Sequence, residues 1–289
     1  MLNLIRMNLY RFLREKTYIS LIVIMLCSVF VSAVVIELAT DESVQVTKTV
    51  DENGQELYTM EKVDEENGLE LSMQSESGPD ITIAEIFAGI LGSVMTMISG
   101  IYAVIYSDTE RRQGFVKNLT VRKRERVSVF AAKAVPVLFY NFLCMVAILA
   151  GIFIANSLAY NVPFGDIAGF GRYFGVQLML STAFGIFALA IYELIRREVV
   201  AVIVVIFTAL GLVGKIVQLL EMGLVEVGIF SETFVEKYEI TQHMLAYRSG
   251  MISPVDQNAG TPCALIVAMI GMAVYLAAGM FLYRRKDVV

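Results

Sequence analysis

The chain has a single histidine, His243, only three cysteines and few charged residues, and each shortage closes off a class of chemistry. One histidine excludes HExxH zinc sites and every paired-histidine centre. A Ser/His/Asp arrangement could use only His243, and no GxSxG is present to meet it. Cys27, Cys144 and Cys263 lie far apart, inside or at the edge of apolar stretches and without a CxxC pair, so they indicate neither a metal site nor a redox couple. A P-loop is missing as well: Gly211-Leu212-Val213-Gly214-Lys215 lacks both the spacing and the following hydroxyl. The expectation is a chain with no catalytic residue, no metal site and no nucleotide site of its own.

Only 18% of the 289 residues are charged while 57% are hydrophobic, which is outside the range of soluble globular domains. The apolar residues fall into blocks of roughly twenty, the length at which a helix crosses a hydrocarbon layer about 30 Å thick. Six such blocks are read: Tyr18–Leu38, Ile81–Ile105, Ala134–Ala155, Tyr173–Leu194, Val199–Leu220 and Cys263–Tyr283. The first exceeds the roughly 7–15 apolar residues of a signal peptide and reads as an uncleaved anchor. None alternates in the manner of a barrel strand. The expected fold is therefore an all-α polytopic membrane protein with six transmembrane helices. Ionisable groups inside the blocks are scarce, with Glu85 and Glu193 near block ends, which argues against an ion-coupled carrier.

Lys and Arg are unevenly shared between the two sets of connecting segments. The N-terminus to Lys16, residues 106–133, the turn 193–198 and the tail from Arg284 hold 17, against 6 in 39–80, 156–172 and 215–262. The positive-inside rule then puts both termini in the cytoplasm of a multi-pass plasma-membrane protein. The stretch Ser107–Phe130 carries seven of these basic residues. Its aromatics are only Phe115 and Phe130, and it is flanked closely by membrane segments, so nucleic acid is not expected as a partner. The cluster Arg122–Arg126 is expected instead to face anionic membrane lipid.

Residues 1–16 place Leu2, Ile5, Leu9, Phe12 and Leu13 at helical spacing, with Arg6, Arg11, Arg14 and Lys16 mostly elsewhere on the turn. That pattern predicts a cytoplasmic interfacial helix ahead of the membrane domain, 17–289. Within 39–80, which is strongly acidic, short strands are read over 44–50, 57–63 and 69–73, separated by Asn53-Gly54 and Asn67-Gly68. The prediction is a small extracellular β-meander insertion. Residues 215–262 read as an extracellular re-entrant segment, with Lys215 snorkelling to the outer interface. On the second block Ala88, Gly92, Thr96 and Gly100 put a small residue at every fourth position, a pattern that lets helix backbones pack closely.

The stretch "ERRQGFVKNLTVRKRERVSVFAAKAV", Glu110 to Val135, resembles the loop between crossings two and three of ABC type-2 exporter permeases. Glu110, Arg111, Gly114, Phe115, Val116, Lys117, Asn118, Leu119, Arg126 and Lys133 occupy the positions that carry the likeness. The resemblance implies that 106–133 is a cytoplasmic coupling loop docking on a separate ABC ATPase subunit. Phe115, Val116 and Leu119 would give apolar contact, Glu110 and Arg111 polar anchoring, with Gly114 and Lys117 in the same motif and the turn Glu193–Glu198 a minor second contact. It implies a dimer with a second permease chain, identical or not, with ATP and magnesium bound by the ATPase partner. A peptide, drug or lipid-like substrate is implied, as in Gram-positive bacteriocin-immunity or drug-resistance exporters. Two other readings stay open: a non-transporting receptor or immunity protein binding an external peptide, and an ion-coupled secondary carrier.

Overall fold

The computed structural model describes residues 2–14, 17–40, 45–50, 56–64, 69–75, 82–113, 123–159, 162–226, 244–252 and 261–285. The helices, in chain order, are α1 Leu2–Arg14, α2 Thr17–Thr40, α3 Ile83–Arg112, α4 Lys123–Ala159, α5 Ile167–Ile195, α6 Glu198–Ala209, α7 Leu212–Glu226, α8 Leu245–Met251 and α9 Thr261–Arg285. Strands β1 Gln45–Val50, β2 Glu56–Asp64 and β3 Leu69–Ser75 form an antiparallel sheet in the order β1-β2-β3. Val46 lies opposite Met60, and Met60 opposite Met73. The two Asn-Gly turns fall outside the described residues.

Four helices are long and apolar enough to cross a membrane, within α2, α4, α5 and α9. The count rises to six if two bent helices each count as one span. One is α3, bent by 47° where Gly92 leaves helical geometry. The other is the pair α6 and α7, bent by 65°. The fifth apolar block is thus not the single straight helix that its composition suggests. Leu210 ends α6 and Gly211 turns the chain at φ +75°, a left-handed conformation that glycine adopts at no steric cost.

α5 is the axis of the bundle. Some 67% of its span is buried, against 17% for α2 and 11% for α9, which leaves broad apolar faces on the two outer helices. Close approach is achieved where one helix offers hydrogen in place of a side chain. A Cβ at Gly185 of α5 would run into Val137 of α4 and Ser99 of α3, and one at Gly100 of α3 into Val205 and Phe184. Gly151 of α4 meets Ser28 of α2 in the same way, and Gly279 of α9 meets Phe130. Hydroxyls add cross-links at these contacts: Ser99 Oγ donates to the Ser181 carbonyl at 2.8 Å.

The contacts also fix the directions of the helices. Ser99 meets Ser181 and Ser107 meets Glu193, so α3 and α5 run parallel. Ser20 meets Tyr140 and Ser28 meets the Ile148 carbonyl, so α2 runs parallel to α4. Phe187 of α5 meets Tyr275 of α9, and Lys133 bridges Glu193 of α5 to Tyr283, so α9 runs parallel to α5 and its C-terminal end lies beside the start of α4. Consequently α1, the C-terminal end of α3, the start of α4, the α5–α6 turn and the C-terminal end of α9 share one end of the bundle. At the opposite end the first N–H groups of α3 are satisfied in two ways. Thr82 and Glu85 form a capping box, and Ile83 and Ala84 donate to the carbonyls of Pro163 and Phe164.

α1 docks on the bundle rather than standing apart from it. Phe12 is buried, edge-on to Phe139 of α4 with ring centroids 5.4 Å apart and likewise against Tyr102 and Tyr140. The Arg11 guanidinium lies 5.1 Å from the centroid of the Tyr106 ring.

Candidate functional site

The shared end holds the densest polar chemistry among the described residues, centred on Lys133. Its Nζ lies 3.1 Å from Glu110 Oε2 of α3 and 3.3 Å from Glu193 Oε1 of α5. It also donates to Ser107 Oγ at 3.1 Å, and Ser107 in turn donates to Glu193 Oε1 at 3.4 Å. The Tyr283 ring of α9 closes the fourth side, its centroid 5.1 Å from the ammonium, a cation–π distance. One lysine side chain therefore ties four helices together. The exposures of Lys133, Glu110 and Glu193 are 2%, 1% and 8%, so the cluster is sealed, and its formal charge is negative by one. A charge in such a place is tolerated only when it is paired; Lys133 and Glu193 are also hydrogen-bonded, whereas Glu110 Oε2 has the ion pair alone.

Around this core lies a more exposed layer. Tyr192 of α5 donates to Asp108 Oδ1 at 2.9 Å, and Asp108 also pairs with Arg112 one turn on. Arg112, 70% exposed, reaches across to Glu198 Oε2 at 2.6 Å. Arg111 Nη1 donates to the Arg196 carbonyl at 3.2 Å, placing a cation at the C-terminal end of α5, where the helix dipole favours one. Arg196 itself takes a left-handed conformation, φ 57°, to close that helix. The α5–α6 turn is thereby clamped by two successive arginines of α3.

Of the residues the sequence assigns to a coupling surface, Glu110 and Arg111 are described, and both face other helices of this chain. Glu110 points into the sealed cluster and Arg111 onto the α5–α6 turn. Gly114, Phe115, Val116, Lys117 and Leu119 lie outside the described residues, as does Asn118. Much of 106–133 is helical rather than loop, since α3 runs to Arg112 and α4 begins at Lys123. The small-residue series divides. Thr96 and Gly100 are buried, and Gly100 is a true close contact. Gly92 is instead the bend of α3, where an added Cβ meets no described atom within 4 Å; Ala88 is half-buried against the core.

The bend at Gly92 brings in α8. Its Ser249 donates to the Gly92 carbonyl at 3.1 Å and accepts from Gln177 Nε2 of α5 at 2.6 Å. A carbonyl freed from the α3 ladder is thus satisfied by a hydroxyl delivered from the far end of the chain. Leu245, Ala246 and Ser249 are all buried, so α8 is wedged among α3, α5 and α9.

Sequence reasoning missed Lys133 as a site residue and treated Glu193 as near water. The cluster adds buried charge at one end of the bundle, where the sequence counts Glu193 as close to water. A signal was present in "VFAAKAVPVLF": one lysine with apolar residues on both sides has few ways to stay wet. Among the described residues no group of His, Cys, Asp and Glu could hold a metal ion. No model of a known protein family matches the chain, and no curated protein matches it with significant similarity.

Proposed function

We propose that this chain is the membrane-spanning permease subunit of an ATP-driven exporter of the ABC type. In this reading it moves a peptide, drug or lipid-like substrate across the plasma membrane, while a separate cytoplasmic ATPase binds and hydrolyses ATP. The observation that carries the proposal is the Lys133 cluster. Glu110 lies four residues before the 114–122 segment and Lys133 eleven after it, and Lys133 is paired both to Glu110 and to Glu193 of α5 and lies against Tyr283 of α9. A push on that segment would therefore be felt directly by four helices. The basic-residue asymmetry supports a cytoplasmic location for this end, where an ATPase could reach it. The same reading puts the β1–β3 sheet outside the cell and pairs the chain with a second permease.

The test is affinity purification of the tagged chain from its native membrane, with mass spectrometry for a retained ABC ATPase subunit. Retention of that subunit, its loss with Phe115→Asp or Gly114→Pro, and ATP-dependent transport by the pair are the expected results. A chain that folds normally yet never retains an ATPase, or retains it equally with Phe115→Asp, would overturn the proposal.

The cluster also favours a second reading, ion-coupled carriage, because two carboxylates against one ammonium leave a buried negative charge that a proton or cation could neutralise. Transport driven by a pH or sodium gradient without ATP would select that reading.

A further inference from the structure

A cavity of about 550 Å³ lies under the α6–α7 bend, within the range of roughly 300–1,000 Å³ typical of small-molecule sites. Its inner wall is apolar and aromatic, with Phe184 and Phe187 from α5 and Tyr275 from α9. Its polar groups are few, chiefly Lys215 and Gln218 of α7. Both are exposed, as are Leu210 and Tyr247, so the cavity opens on the outer face of the bundle.

Its depth follows from the helices that line it. Phe184 lies 11 residues before the end of α5, Tyr275 10 before the end of α9, and Leu210 12 beyond the start of α6. All three of those helix ends belong to the Lys133 end of the bundle. At about 1.5 Å per residue the cavity sits about 15–18 Å from that end, half of a hydrocarbon layer about 30 Å thick. Beyond Gly211 the 65° bend slows the climb, so that α7 advances only about 0.6 Å per residue along the direction of α6. Lys215, four residues on, therefore remains below the far surface of such a layer. Its ammonium can approach that surface only through its own stem. Among the described residues Lys215 forms no ion pair.

A cation at this depth with no ion pair among the described residues is stabilised by a ligand that supplies the counter-charge. The walls below it call for hydrocarbon. We propose that the cavity binds an anionic lipid from the leaflet opposite the Lys133 end, with its headgroup on Lys215 and an acyl chain against Phe184, Phe187 and Tyr275. A zwitterionic lipid brings its own cation and gives Lys215 no net charge. A peptide would need partners for its backbone that these walls do not offer. The inference is independent of an ATPase partner.

The chain contains no tryptophan, so one introduced indole reports on one place. Phe187→Trp, with Tyr247→Trp as a second reporter, is reconstituted in phosphatidylcholine vesicles. The vesicles carry a small fraction of chain-brominated phosphatidylglycerol or chain-brominated phosphatidylcholine. The expected result is several-fold stronger quenching by the brominated anionic lipid, lost with Lys215→Gln and kept with Lys215→Arg. Phe30→Trp, on the exposed face of α2, should be quenched equally by both lipids. Equal quenching at both cavity reporters, a preference that survives Lys215→Gln, or no quenching because a second copy or another segment covers the cavity would each overturn the assignment. No outcome depends on ATP hydrolysis, so failure here is separable from failure of the permease reading.

Discussion

Lys133 of α4 and Glu110 of α3 stand 3.1 Å apart with almost no exposed surface, and the segment between them is the most basic stretch of the chain. This pair, unlike an exposed surface pair, is withdrawn into the protein. Its energetics are therefore those of a buried network and not of a surface bridge.

Removing one partner is the severe case. Lys133→Met would leave Glu110 and Glu193 facing each other without a counter-charge, at a cost of about 3–5 kcal/mol. The triple variant Lys133→Met, Glu110→Gln, Glu193→Gln removes the charges together and should recover most of that loss. Thermal unfolding in detergent measures both. Equal stability of the single variant and the parent would show that the cluster is hydrated after all. By contrast Arg112→Ala, which removes a largely exposed guanidinium from Glu198 and from Asp108 while Asp108 keeps the Tyr192 hydroxyl, should change stability by only about 1 kcal/mol.

How much of this is legible from the residues alone depends on the kind of signal. Long apolar runs announce spans because the bilayer sets a length, so α2, α4, α5 and α9 can be located by counting. Bends are set by single backbone conformations. Gly92 and Gly211 look like any other glycine in a greasy run, and only tertiary contacts distinguish them. Gly100 and Gly92 stand eight residues apart in the same small-residue series, yet one is a contact and the other a hinge point. Lys133 enters the sequence reading as one charge among the basic residues and as one position of the loop pattern. Such a sum carries no information about which lysine has two carboxylates waiting on other helices. Ser249 cannot be foreseen, because its partners Gln177 and Gly92 lie 72 and 157 residues away in sequence.

The Ser249 link should behave as a coupled unit. Ser249→Ala deprives both the Gly92 carbonyl and Gln177 Nε2 of a partner, and a loss of about 0.6–2 kcal/mol is expected for such bonds between membrane helices. Gln177→Leu should cost a comparable amount. The double variant should cost less than the sum, since both changes disrupt one chain of bonds. A double-mutant cycle on unfolding free energies decides this, and strict additivity would mean that the two contacts act separately.

Glycine substitutions separate contact from mere composition. Gly185→Ala drives a methyl into Val137 and Ser99, and overpacking of this kind costs about 1–3 kcal/mol. Gly171 and Gly175 lie on the same helix, and a methyl added at either would meet no described atom within 4 Å. Alanine there should be neutral or favourable by up to about 1 kcal/mol. Comparing the melting temperatures of the three variants tests the packing directly. A Gly185→Ala protein as stable as Gly175→Ala would contradict the close α3–α4–α5 approach.

The docking of α1 makes the last prediction. An amphipathic helix that merely floats in the headgroup layer loses affinity for lipid gradually as apolar area is trimmed. Phe12 instead sits in an aromatic socket of Tyr102, Phe139 and Tyr140, so truncating it removes a specific anchor. Phe12→Ala should cost about 3 kcal/mol, felt locally as opening of α1 from α4 and only weakly in the melting of the whole bundle. Tyr10→Ala, which removes an exposed ring of similar size on the same helix, should leave α1 closed. Hydrogen exchange over residues 2–14 is the measurement. Faster exchange with Phe12→Ala and unchanged exchange with Tyr10→Ala mark a protein-held helix; equal effects of the two would mark a lipid-held one.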